Sequence, residues 1–371
     1  MEFTVSKADL VRELNLSQGV VEKKATIPIL SNILVEATGD RLTLTATDLE
    51  LGIRSTTAAK VKTAGIGTIP AKRLLDYVRL LPDSEIQIKF SDTHWASLTC
   101  GRSRSRIAGM SRESYPELPE MPEAAVQISL PALTSLIQKT IFSISNEDSR
   151  FTLNGALLQV QDGGMTMVAT DGHRLALAHQ PGCASEAPPS KALLPRKAMV
   201  ELLKIAAEVG GEDMKIDYAA DDNHLFFRLG DRLLMSRKLT GNFPDYERVL
   251  PRSHAHSITM NREELRGTIE RVAQFADERT RAIKVQLADN EAKVHSSLSE
   301  TGESEESLGV DYIGPTVEIG FNAHYLLEFL RAVPEPEVSF HFKDGQSAGE
   351  LRPAGDGLAY EYRYVVMPMR I

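Results

Sequence analysis

Apolar residues follow two rhythms along this chain, and the pair of rhythms recurs three times. A spacing of three and four, the signature of a half-buried helix, runs through residues 71–80, 196–204 and 322–332. Each of these segments is entered from a strand-like stretch. Each leaves through an acidic or Gly/Pro turn into apolar–polar alternation, as in IPAKRLLDYVRLLPDSEIQI (69–88) and GFNAHYLLEFLRAVPEPEVSFHF (320–342). Pro70 and Pro195 lie 125 residues apart, and Ala71 and Ala323 lie 252 apart. A second element, a short strand running into a helix, starts near Phe3, Ile128 and Ile258, at steps of 125 and 130. LTATDLELGIR (44–54) matches MVATDGHRLAL (167–177), and SYPEL (114–118) matches NFPDY (242–246).

A period near 125 is the length of a domain, too long for a solenoid repeat. The pattern therefore predicts an α+β protein of three similar domains, at 1–122, 123–251 and 252–371. Each has two helices packed on antiparallel sheet. The junctions fall in the Pro-rich acidic ELPEMPEAA (117–125) and the polar LPRSHAHS (250–257). Helices are expected over 7–24, 71–80, 129–140, 196–204, 261–281 and 322–332.

Composition narrows the class. The 371 residues are 42% hydrophobic and 25% charged, an ordinary globular balance. No stretch approaches a membrane-spanning length of apolar residues. Two cysteines, Cys100 and Cys183, make neither a disulfide framework nor a four-cysteine zinc site. The opening MEFTVSKADL lacks the basic-then-apolar plan of a signal peptide, so a cytoplasmic location is expected.

Net charge is −9, which taken globally disfavours nucleic acid. The distribution says otherwise. The six predicted helical segments carry +6 together and the remainder −15. Acidic loops such as ETGESEESLGVD (300–311) hold much of that excess. Basic helices on an acidic body can offer phosphates a weak, sequence-independent, salt-sensitive surface.

Candidate chemistry is sparse. No glycine-rich phosphate loop, HExxH, GxSxG or metal-ligand spacing occurs. Asp171 and His173 in ATDGHRLA could be read as an acid–base pair. The matching ATDLELG has no histidine, which favours a strand–turn–strand with Asp-Gly at the turn. The run GRSRSR puts Arg102, Arg104 and Arg106 on one strand face, either a solvated edge or a phosphate or partner contact. The C-terminal YRYVVMPMRI is apolar where chain ends are normally polar. A final sheet strand accounts for Val365 and Val366; Pro368 stops the ladder and leaves Met367 and Met369 unexplained. Adaptable methionines suit a surface that accepts several partners.

These residues resemble a known family. KATIPILSNILVEA (24–37), RFTLNGALL (150–158), ATDGHRLA (169–176), FPDYERVLP (243–251), FNAHYLLEFL (321–330) and the terminal VVMPMRI are similar to the bacterial DNA polymerase III β subunits, the sliding clamps. The resemblance runs from Phe3 to Ile371. It implies a non-catalytic processivity factor without cofactor, metal or membrane contact. Two chains would join head to tail in a ring of six domains. The helices would line the hole, and double-stranded DNA would pass through it without sequence readout.

The resemblance also implies a peptide groove between the second and third domains. That groove would receive short motifs from replicative and translesion polymerases, the clamp loader, mismatch-repair and other proteins. Its wall would be Leu153, Thr170, Gly172, His173, Arg174, Leu175, Pro244, Arg248, Val249, Tyr325, Val365, Met367, Pro368, Met369 and Arg370. DNA-facing candidates by matching position are Lys24, Arg150 and Lys197; Arg73 and Arg196 come from the charge argument alone. The family often has an aromatic after GRSR at the ring interface. Ser105 stands there instead, so Ile107 is expected to substitute, facing Phe275 of the partner. Thr152 replaces a common Tyr beside the groove, and Ile371 replaces a common terminal Leu. Two other readings stay open: an enzyme built on Asp171, His173 and Arg174, and a monomeric peptide-binding scaffold.

Overall fold

A computed structural model describes residues 1–21, 26–123, 125–147, 149–186, 188–211, 213–298 and 302–370. Among them are six α-helices, α1 (Lys7–Ser17), α2 (Ala71–Leu80), α3 (Leu130–Thr140), α4 (Arg196–Val209), α5 (Arg262–Val272) and α6 (Ala323–Ala332). The strands form four sheets, paired antiparallel. The chain gathers into two compact units. Unit one is Met1–Thr134 with Lys197–Lys238; unit two is Ser135–Arg196 with Leu239–Ile371.

Unit one holds a five-stranded sheet, in the order Lys60–Thr63, Glu2–Ser6, Glu85–Phe90, Trp95–Cys100, Ser103–Ala108. Its eight-stranded sheet runs Val126–Ser129, Lys215–Ala220, His224–Leu229, Arg232–Arg237, Leu51–Ala58, Arg41–Thr47, Asn32–Thr38, Gly65–Pro70. Unit two repeats the plan. Its eight-stranded sheet runs Ser190–Pro195, Gly155–Gln161, Gly164–Thr170, Arg174–Gln180, Glu361–Val366, Gly349–Ala354, Glu337–Phe342, His256–Asn261. Its four-stranded sheet runs Gly302–Gly309, Glu291–Leu298, Ala282–Ala288, Val317–Asn322. The segment 123–251 thus gives four strands to each large sheet, and the compact units cut across that sequence repeat.

Each helix forms where its pattern predicts and buries its apolar stripe. On α2 the buried residues are Ala71, Leu74, Leu75 and Val78, at helical spacing. Ser6 caps α1 by accepting from the Asp9 amide at 3.4 Å, and Asn261 caps α5 by accepting from the Glu264 amide at 3.0 Å. Lengths differ from the expected ones. α1 stops at Ser17, ahead of Gly19, whose absent side chain leaves room for the Glu201 carboxylate. α4 extends to Val209. α5 ends at Val272 and tightens into a 3₁₀ turn over Ala273–Phe275. Beyond it, Asp277 Oδ1 accepts from the Arg279 and Thr280 amides at 3.1 and 2.9 Å, a local arrangement that competes with further helix.

Among the described residues, charges predicted on helix surfaces are buried at Glu13, Lys139 and Glu201. Glu13 of α1 accepts two hydrogen bonds from Arg232, at 3.0 and 2.7 Å, inside unit one. Lys139, the one charge on the 129–140 segment, is 6% exposed. Its Nζ donates to Ser135 Oγ at 2.6 Å and lies 4.4 Å from the Tyr360 ring centroid. Its helix-surface charge is therefore not available to phosphates. Burial lowers its pKa. No helix among the described residues is long and apolar enough to cross a membrane.

Candidate functional site

The ATDGHRLA segment is the turn between two strands of the large sheet in unit two. Thr170 pairs with Leu175 across it. Asp171 Oδ1 accepts from the amides of His173 and Arg174 at 2.9 and 3.0 Å, and Oδ2 accepts from Arg174 Nε at 3.0 Å. Both carboxylate oxygens are committed to shaping the turn, as the strand–turn–strand reading expects. Gly172 sits at φ +89°, where a side chain would be strained and would meet Arg150 Nη1 at 3.1 Å.

Unit one has the same turn. Asp48 Oδ1 accepts from the Glu50 and Leu51 amides at 3.0 and 2.7 Å. Thr47 Oγ1 accepts from the Leu49 amide at 3.0 Å, as Thr170 Oγ1 does from Gly172 at 3.1 Å. The sequence repeat is therefore a repeat of hydrogen bonds.

The C-terminal tail runs along the unit-two turn. Val366 and Val365 pair with Arg174 and Leu175. Past the strand, the Met367 amide donates to the His173 carbonyl at 2.9 Å. The Met369 amide donates to the Gly320 carbonyl at 2.8 Å. Pro368 ends the regular ladder as expected, yet the amides on either side of it still find backbone acceptors, one in the turn at His173 and one within the strand Val317–Asn322. The tail is pinned on both flanks, and Met367 keeps 38% of its surface exposed.

Beneath the turn lies an apolar floor of Val168, Leu175, Leu177 and Val365. Half-buried Leu157, Phe243, Tyr246, Leu250 and Ala348 pack on it. The 243–250 segment therefore covers the floor, which places Pro244, Arg248 and Val249 on its outer side. All three are exposed. The resemblance did not name Phe243, Tyr246 or Leu177. Period-two alternation from Leu175 finds Leu177, and the segment FPDYERVLP contains both aromatics. Their rings meet edge to face at 6.5 Å.

Arg174 is beneath this surface rather than at its rim, at 7% exposure. Its guanidinium pairs with Glu328 of α6 and donates to the Phe142 carbonyl at 2.5 Å. It lies 4.2 Å from the Tyr325 ring centroid. Burial opposes its charge, but Tyr364 and Glu328 outweigh that and raise its pKa. Tyr364 OH donates to the Tyr325 carbonyl at 2.9 Å. Arg174 thus ties the turn to α6 and to the final strand. His173, by contrast, is exposed. Leu153 is half-buried in a 3₁₀ turn, and its carbonyl accepts from the Ser145 amide.

A buried carboxylate fixes the next stretch of chain. Glu350, fully buried, accepts from Arg363 at 2.5 and 3.1 Å and from Arg352 at 2.8 Å, and meets His254 Nε2 at 2.7 Å. Burial alone would raise its pKa; the hydrogen bonds from Arg363 and Arg352 hold it down at about 2. Arg363 also reaches the Pro251 carbonyl at 3.3 Å. The linker after the 243–250 segment is fastened to the sheet at these two points.

The DNA-facing candidates are scattered. Arg73 is exposed, and among the described residues it has no ion-pair partner. Arg150 bonds Glu147 at 2.9 Å and the Asp171 carbonyl at 2.8 Å. Arg196 donates to Asn146 at 2.9 Å, and Lys197 pairs with Asp48. Lys24 lies outside the described residues, as does Ile371. Of the interface candidates, Phe275 is 37% exposed. Ile107 is 3% exposed, because alternation along Ser103–Ala108 turns it inward and Arg104 and Arg106 outward. Its side chain is core of its own sheet and is not exposed as the interface reading expects. Among the described residues no group of three or more His, Cys, Asp or Glu is placed to hold a metal.

Comparison with known proteins gives three consecutive family matches. Residues 1–119, 127–245 and 247–370 match the N-terminal, central and C-terminal domains of the DNA polymerase III beta subunit. The beta sliding clamp of Pseudomonas putida is 34% identical, with 100% of each chain covered. That of Caulobacter vibrioides is 35% identical at the same coverage. A crystal structure of the DNA polymerase III subunit beta from Pseudomonas aeruginosa superposes with a TM-score of 0.94 at 33% identity, covering 100% of both chains. The chain belongs to the DNA polymerase III beta subunit family, the DNA polymerase sliding clamps.

Proposed function

We propose that two copies of this chain close head to tail around duplex DNA and tether polymerase to it through the tail groove of unit two. Clamp loader and repair proteins would use the same groove. The observation that carries the tethering is the pinned tail. Met367 and Val249 hold exposed apolar surface, at 38% and 36%, above the packed floor of Leu175, Leu177 and Val365, and a short apolar peptide can cover it. The exposed His173, Pro244, Arg248 and Val249 are its rim, with Tyr325, Pro368, Met369 and Arg370 continuing it. Arg174 and Thr170 act from below by holding the turn, and Gly172 gives its exposed tip the left-handed backbone it needs. The repeat boundaries 1–122, 123–251 and 252–371 are proposed as the duplicated units.

Ring closure is supported by two unpaired sheet edges. Ser103–Ala108 ends the five-stranded sheet and turns Arg104 and Arg106 outward. Gly302–Gly309 ends the four-stranded sheet and turns Glu303 and Glu305 outward. Exposed edges of opposite charge suit antiparallel pairing between copies. Much of the helix charge is already paired, as in Lys72–Asp76, Arg271–Glu306 and Arg331–Glu270. Phosphate contacts would then be few and weak, which suits a protein that must slide.

The test is retention on nicked circular DNA at high salt after loading by a clamp loader, before and after linearising the circle. Salt removes phosphate-driven binding, so only topological linkage survives it. Retention that is lost on cutting is the expected result. Salt-labile binding indifferent to cutting would overturn the ring.

A further inference from the structure

The chain's one tryptophan, Trp95, stands at the outer face of the five-stranded sheet with 40% of its surface exposed. It opens the strand Trp95–Cys100, next to the free edge strand, and pairs with Ala108. The guanidinium carbon of Arg106 lies 4.9 Å from its ring centroid. Ser97 and Thr99, on the same face, pair with Arg106 and Arg104. An aromatic ring of this size is not needed to complete the inner core, which Ala96, Leu98, Cys100 and Ile107 fill from the opposite face. Among the described residues neither Arg104 nor Arg106 has an ion-pair partner in its own chain. Two cations, one resting on an indole, therefore project from a strand with unused backbone donors and acceptors.

We infer that Trp95 is part of the contact with a second copy of this chain, where its indole holds Arg106 out toward the partner subunit's acidic strand edge. This rests on the head-to-tail reading above. In antiparallel pairing of Ser103–Ala108 with Gly302–Gly309, the register that sets Arg104 against Glu305 sets Arg106 against Glu303. Of the outward carboxylates of that edge, Glu303 is loosely held at home, 3.9 Å from His295, and Glu305 shares Lys293 at 3.1 Å. Glu306 points the other way, onto Arg271. A guanidinium already stacked on a ring loses little freedom on pairing, and its charge is stronger once the indole shields it from water. Trp95 thereby supplies, from the neighbouring strand, the aromatic contribution that Ser105 does not make.

The single tryptophan makes its own probe. Intrinsic emission and sedimentation of the full chain are measured together from nanomolar to micromolar concentration. The expected result is a blue shift of Trp95 emission that tracks formation of the dimer. Trp95→Ala should raise the dimer Kd about tenfold, the equivalent of about 1.4 kcal/mol. Arg106→Ala should do the same, and the double variant should be little worse than either alone. Reversal in Arg106→Glu should be partly rescued by Glu303→Arg. A dimer that forms with Trp95 emission unchanged, or a Trp95→Ala Kd within twofold of the parent, overturns this inference and leaves the ring standing. A chain that stays monomeric throughout overturns the ring reading as well.

Discussion

The backbone amide of Met367 donates to the carbonyl oxygen of His173 across 2.9 Å. Unit one makes the same bond between Arg237 and Glu50, at 2.8 Å. The two turns are alike in backbone and differ in the chain that leaves the bond. In unit two it is an apolar, proline-interrupted tail; in unit one it is the basic pair Arg237 and Lys238. We expect removal of residues 367–371 to weaken binding of a labelled partner peptide at least tenfold while leaving the dimer intact. Fluorescence anisotropy with parallel sedimentation reads both. Unchanged peptide affinity would remove the tail from the site.

Arg174 is expected to act on stability first. Truncating one member of a buried ion pair leaves the other charge uncompensated, at a cost of about 3–5 kcal/mol. Arg174→Ala should therefore lower the unfolding midpoint in denaturant, with Glu328→Gln having a smaller effect in the same direction. An Arg174→Ala chain as stable as the parent would show that the network is ornamental to the turn.

The two turns also differ in strain. Leu49 holds φ +77°, a left-handed conformation that Gly172 occupies without penalty in the other turn. Leu49 is 48% exposed, so little packing is lost on truncation. Leu49→Gly should stabilise the chain by about 0.5–1 kcal/mol, and Gly172→Ala should destabilise it by about 1 kcal/mol. Thermal unfolding of the two variants reads the opposite signs.

Glu350 gives a pH dependence. Its folded pKa lies below the ordinary value of 4.5, so its stabilisation is complete above that value and is lost as pH falls toward about 2. A shift of this size corresponds to about 3 kcal/mol. Denaturant unfolding between pH 6 and 2 should show that loss. Glu350→Gln should be less stable at neutral pH and flatter over the acid range.

On DNA, Arg73 and Lys139 should separate. If Arg73 meets phosphate, Arg73→Ala reduces the slope of log affinity against log salt by about 0.9. Lys139→Gln should leave that slope unchanged, because Lys139 is buried on Tyr360. A salt slope altered by Lys139→Gln would contradict its burial.

The sequence alone determined the repeats, the helices and most strands. Local rules suffice for these: apolar spacing, capping residues and turn chemistry all act within a few residues. Asp48 and Asp171 could be matched by counting, and the structure gives them the same turn. The unusual apolar tail was legible because apolar residues at a chain end need something to pack against. Only the tertiary structure decided the relations between distant residues. Segment 123–251 contributes to two large sheets because strand pairing is chosen by available edges, not by repeat boundaries. Arg174 and Lys139 look like surface cations in sequence, but Glu328, Tyr325 and Tyr360 reach them from about 150 to 220 residues away and bury them. Ile107 turned inward because strand alternation fixes sidedness only once the core side is known. Charge and periodicity are properties of a segment; burial belongs to the neighbours that the fold brings to it.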